Sequence, residues 1–82
     1  MEFQYKTKGT CSQKIIFKLD GGRIYNVEFV GGCHGNTQGI ARLAEGRDAK
    51  ELVEILRGIR CGFKDTSCPD QLARAIKKAL EQ

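Results

Sequence analysis

Eighty-two residues suffice for one domain spanning 1–82, near the lower limit for a self-sufficient core, because a chain this short buries only roughly 60% of its unfolded surface. A composition of 40% hydrophobic and 29% charged residues fits a soluble globular chain and excludes a disordered one. The net charge of +4 comes from fourteen Lys and Arg spread along the chain without a block of five or six, which argues against nucleic acid as a partner.

The first element in chain order is a strand through Phe3 and Tyr5 in "EFQYK". A β-hairpin follows. Ile15, Phe17 and Leu19 alternate with Lys14, Lys18 and Asp20, the period of two that marks a half-buried strand. Gly21-Gly22 is a favoured two-residue turn, since both positions accept positive φ without steric cost. On the returning strand Tyr25, Val27 and Phe29 alternate with Asn26 and Glu28, which predicts that the first three face inward.

After Val30 the pattern becomes helical. "GGCHGN" is a loop, and a helix starting near Asn36 sets Ile40, Leu43 and Ala44 on one face. Asp48 and Glu51 form a capping-box-like start to a second helix, with Leu52, Ile55, Leu56 and Ile59 at helical spacing. A loop holding Cys61 leads to the last helix, which starts near Pro69 and turns Leu72, Ile76, Ala79 and Leu80 inward. Arg74, Lys77, Lys78 and Glu81 cover its wet side. The expected fold is α+β, a small antiparallel sheet followed by three helices packed on its apolar face.

No apolar run approaches the ~20 residues of a bilayer span, and the first residues lack the apolar core of a secretory signal. The expected compartment is therefore the cytoplasm, where four cysteines serve as ligands or redox groups rather than as a disulfide framework. Cys11 precedes the hairpin, Cys33 lies in the Gly-rich loop, Cys61 lies between the last two helices, and Cys68 stands at the start of the last. None falls on an apolar helix or strand face, where a structural cysteine usually packs. A helix start presents unpaired N–H groups and partial positive charge, which favours thiolate over thiol at Cys68 and Cys33.

The intervals of 21, 27 and 6 residues contain no C-x-x-C knuckle, so a local zinc ribbon is excluded and the fold itself must assemble any shared site. His34, the sole histidine, is a reserve ligand or proton shuttle beside Cys33. The loop "GGCHGN" also suits an anion, though it lacks the G-K-[ST] ending of a P-loop.

"TSCPD" at 66–70, with Cys11 and "GGCHGN" upstream, resembles the TSCPD-domain family, small bacterial and archaeal proteins with similar segments at the C-terminal end of adenosylcobalamin-dependent ribonucleotide reductases. The resemblance implies an association with deoxyribonucleotide synthesis and a reductase as partner. The chain is too short to hold the barrel, radical cysteine and cofactor site of that enzyme. The order of cysteines, hairpin and helices is also similar to IscU/NifU-type iron–sulfur scaffolds, whose three cysteines match Cys11, Cys33 and Cys68. That likeness implies a cysteine-sulfur donor as partner. Gln13 stands where those scaffolds have an aspartate, Ser67 where they have a histidine, and Cys61 is an addition.

Two functional readings fit these residues. In the first, Cys11, Cys33, Cys61 and Cys68 converge at one end of the sheet and bind zinc or an iron–sulfur cluster, both of which soft thiolates select. In the second, a thiol-redox module passes reducing equivalents to a reductase, with Cys68 attacking and Cys61 resolving, their Cα atoms within roughly 7 Å. A nucleotide-binding or plain interaction domain is the residual alternative.

Overall fold

A computed structural model of the chain describes residues 1–10, 12–31, 34–60 and 62–81. Three strands, β1 (Glu2–Lys6), β2 (Ser12–Asp20) and β3 (Arg23–Gly31), form one antiparallel sheet in the order β1-β2-β3. Three helices follow: α1 (His34–Ala44), α2 (Ala49–Leu56) and α3 (Cys68–Leu80). The α+β architecture expected from the sequence is the one observed.

The hairpin turns at Gly21 and Gly22, with φ of 59° and 79°. In the register β1 sets Phe3 opposite Phe17 and Tyr5 opposite Ile15, so the aromatic side of β1 joins the apolar side of β2. The Phe3 and Phe17 rings stack with centroids 5.7 Å apart.

The returning strand departs from the alternation expected of it. The register shifts between Ile16 and Lys18, where Asn26 adopts φ 55°. An extra residue in β3 reverses the parity of every residue before it, as a β-bulge does. Val27 and Phe29 stay on the helix side, but Ile24 rather than Tyr25 is the buried residue at the start of β3. The Asn26 N–H donates to Glu45 Oε1 at 2.9 Å. A second shift, between Ser12 and Lys14, leaves Ser12 opposite Gly31 and buried.

The helices cover one face of the sheet, with α1 against β3, α3 against β1 and β2, and α2 against α3. Ile15, Phe17, Ile24, Leu72 and Ile76 are fully enclosed. Each such side chain stabilises the fold by roughly 1.5–3 kcal/mol relative to exposure. The segment between α1 and α2 is laced to the start of β3: Ile24 N–H donates to Arg47 O at 2.9 Å and Ala49 N–H to Gly22 O at 2.8 Å.

Three side chains expected inside lie outside. Leu43 is 71% exposed, because the inward side of α1 is centred on Thr37 and Ala44 and Leu43 lies about 100° away from Ala44. Helix α2 is shorter than its apolar spacing suggested. It opens on Asp48, whose side chain accepts from Glu51 N–H, and it closes at Arg57, where ψ turns to 143°. Gly58 then takes φ 81°. Ile59 is therefore outside the helix and exposed, and Ile55 faces solvent while Ala49 and Leu52 are buried. No helix among the described residues is long and apolar enough to cross a membrane.

Candidate functional site: the start of the last helix

The segment Thr66-Ser67-Cys68-Pro69-Asp70 opens α3, and four of its side chains have an identifiable hydrogen-bonding role. Ser67 is the N-cap: its Oγ accepts from Asp70 N–H at 3.1 Å and donates to Ile59 O at 2.6 Å. One hydroxyl thus satisfies an orphan helix donor and ties down the loop after α2. Pro69 occupies the first turn, where its missing N–H costs nothing and its φ is already helical.

Asp70 departs from a capping box, in which its carboxylate would return to the N-cap amide. Its Oδ1 instead accepts from Gly58 N–H at 2.7 Å, and its Oδ2 takes a very short hydrogen bond from the Thr66 hydroxyl and an ion pair from Arg74 Nε at 3.0 Å. Burial alone would raise this carboxyl's pKa. The bonds from Thr66 and Gly58 and the nearby Arg74 guanidinium outweigh burial and hold it below the ordinary carboxylate value.

Gln71 is buried beside it. Its Nε2 donates to Thr66 Oγ1 at 2.9 Å, and its Oε1 accepts from Lys8 N–H at 3.2 Å, which ties the loop before β2 to α3. The same loop passes so close that a Cβ on Gly9, which has φ 74°, would meet Thr66 Cγ2 at 3.2 Å.

Cys68 is half-buried at the first turn of α3, with its Sγ 3.3 Å from Ser12 Oγ. Ser12 is held in turn from the preceding loop: its carbonyl accepts from Thr7 Oγ1 at 2.5 Å, and its hydroxyl lies 3.1 Å from Thr10 Oγ1. The thiol therefore stands at a helix start with a fixed hydroxyl beside it.

Of the sequence-predicted site residues, Cys68 is where the sequence put it, one residue inside the N-cap. Cys11, Cys33 and Cys61 lie outside the described residues, as does the His34 side chain. The four-thiol convergence and the Cys61–Cys68 separation lie outside them as well. Among the described residues no three His, Cys, Asp or Glu side chains gather into a metal site. Their sequence neighbours are described. Ser12 touches Cys68, Gly31 pairs with Ser12, and Ile59 is held by Ser67.

The sequence reading gives Ser12 and Gln71 no role, and Thr66 and Asp70 enter it only as letters of the motif at 66–70. Gln71 carried a usable signal, because Ala75 and Ala79 follow it at i+4 and i+8, on the side that α3 buries. Ser12 carried none, since its contact with Cys68 spans 56 residues of chain.

No curated protein and no solved structure matches the chain. The family model of the TSCPD domain matches residues 3–80. That match runs from β1 to the last turn of α3 and takes in the five residues that build this helix start, so the chain belongs to the TSCPD-domain family.

Proposed function

We propose that the protein is a cysteine-based metal-binding module that takes zinc or an iron–sulfur cluster through Cys11, Cys33, Cys61 and Cys68. One observation carries the reading: a described residue one or two positions from each of the other cysteines contacts Cys68 or a residue that adjoins or touches it. Ser12, next to Cys11, lies 3.3 Å from its sulfur. Gly31, two residues before Cys33, pairs with Ser12. Ile59, two residues before Cys61, accepts from the Ser67 hydroxyl. Two residues of extended chain reach about 7 Å, enough for all three thiols to approach the start of α3. The donor set fits the group, since soft thiolates select zinc and iron–sulfur clusters. Ser12 would act as the outer hydroxyl that orients the Cys68 sulfur. The family resemblance supports service to deoxyribonucleotide synthesis, with a reductase or a cysteine-sulfur donor as the protein partner.

The test is elemental analysis with an absorption spectrum of protein purified without air. Zinc or an iron–sulfur cluster should be present in stoichiometric amount, and Cys68→Ser should abolish it. Metal-free protein that instead forms a reversible Cys61–Cys68 disulfide under mild oxidation would establish the thiol-redox reading in its place.

A further inference from the structure

The free edge of β1 has a self-complementary pattern. Met1 and Leu19 exchange both backbone hydrogen bonds, at 3.0 and 2.9 Å, and Thr7 N–H donates to Gln13 O at 3.2 Å. Antiparallel alternation then turns the backbone groups of Phe3 and Tyr5 toward β2 and those of Glu2, Gln4 and Lys6 outward. Among the described residues nothing covers this edge, and β1 is the end strand of the sheet. The side chains of Glu2, Gln4 and Lys6 are exposed on the helix-free face, while Phe3 and Tyr5 are half-buried on the other. On the helix side the edge borders a groove of about 430 Å³ lined by Phe3, Tyr5, Phe17, Ala75, Lys78 and Ala79, among other residues.

Lys6 sits directly opposite Lys14, a like-charged cross-strand pair, and no carboxylate among the described residues pairs with either. Such a pair is destabilising unless an anion is supplied from outside. Glu2 sits opposite Lys18 at the other end of β1.

We infer that the protein forms a symmetric dimer in which β1 pairs antiparallel with β1 of a second copy, centred on Gln4, to give a continuous six-stranded sheet. In that register Gln4 meets Gln4 of the second copy, and Glu2 meets Lys6 in both directions. Each outward N–H and C=O gains a partner. Lys6 acquires a carboxylate beside the Lys14 that repels it, and Glu2 comes to lie between two lysines. Phe3 meets Tyr5 of the second copy at a non-hydrogen-bonded position, where side chains approach most closely, and the two rings lie over the groove. A two-fold axis repeats every contact, as an isologous interface requires. Pairing in a parallel sense would set Lys6 beside Lys6 and Glu2 beside Glu2, so the charges select the antiparallel register.

Sedimentation equilibrium on the full chain, at concentrations up to about 1 mM, tests this, a range that reaches even weak specific association. The expected mass is twice that of one chain. Gln4→Pro removes the central outward donor while leaving the bonds to β2 intact, and should weaken the dimer about a hundredfold. Glu2→Lys and Lys6→Glu should each weaken it about tenfold, because symmetry counts each like-charged pair twice. An equimolar mixture of those two variants should recover it, because each then supplies the charge that the other lacks. Far-ultraviolet circular dichroism checks that all variants fold, and if Gln4→Pro does not, the charge variants and their mixture decide. A monomer at every concentration overturns the inference, as it would if the edge instead serves an acidic strand of another protein. A dimer indifferent to all three substitutions overturns it equally.

Discussion

Cys68 and Asp70 are two residues apart on α3 and have opposite surroundings. The thiol is half-buried beside one hydroxyl, whereas the carboxylate is enclosed and has a donor on each oxygen. Asp70 is the joint between three segments: α3 itself, Thr66 before it and Gly58 after α2. Its pKa lies below the ordinary value, so it binds a proton more weakly folded than unfolded. Its contribution to stability is therefore complete above the unfolded carboxylate value of about 3.9 and is lost as pH falls through the folded one. Asp70→Asn should lower the thermal midpoint near neutral pH. The gap between the two proteins should then narrow as the pH drops below about 4. Thermal unfolding followed across that range checks the sign, and a constant gap would mean that the charge of Asp70 contributes nothing.

The bulge in β3 has the largest consequence among the elements. A single residue at φ 55° exchanges Tyr25 for Ile24 in the core, and the freed Asn26 N–H finds Glu45. Asparagine tolerates this left-handed conformation, whereas a β-branched residue does not. Asn26→Val should therefore cost about 1–2 kcal/mol, and Asn26→Gly should stay within about 0.5 kcal/mol of the parent. Urea unfolding midpoints of the two variants would separate these outcomes. Equal stability of the two would show that the bulge does not need positive φ. Helix α3 is the other decisive element, since its capped start carries Cys68 and its middle carries Leu72 and Ile76 into the core.

A chain this small has little stability to spare, of the order of 0.05–0.15 kcal/mol per residue. Ile76 is fully enclosed, and Ile76→Ala should remove about 2–5 kcal/mol, a large part of that total. If the thiols hold a metal as proposed, binding adds to folding, because the ligands come together only in the native state. Ile76→Ala should then remain folded when loaded and melt at a markedly lower temperature after treatment with a chelator. The difference between loaded and stripped midpoints measures that coupling, and its absence would count against the metal reading. The proposed strand pairing acts at the same scale, since it would complete a sheet edge that the monomer leaves open.

The sequence by itself determined the α+β order, the Gly21-Gly22 turn, the Asp48 start of α2 and the inward set of α3. Each of these is fixed within a few consecutive residues: a steric allowance for positive φ, a side chain that reaches an amide three residues on, a repeat of two or 3.6. It also put Cys68 at the start of α3, because the proline that follows suits the first turn of a helix. Only the tertiary structure decided which residue of β3 begins the core, because a one-residue bulge is set by pairing with β2 and leaves the apolar alternation looking regular. It also decided that α2 stops at Leu56, where Asp70 from another helix takes the Gly58 amide. The hydroxyl beside Cys68 belongs to this second class too. Ser12 is brought there by a register shift and two threonines, and contacts that close across dozens of residues leave no periodic trace in the chain.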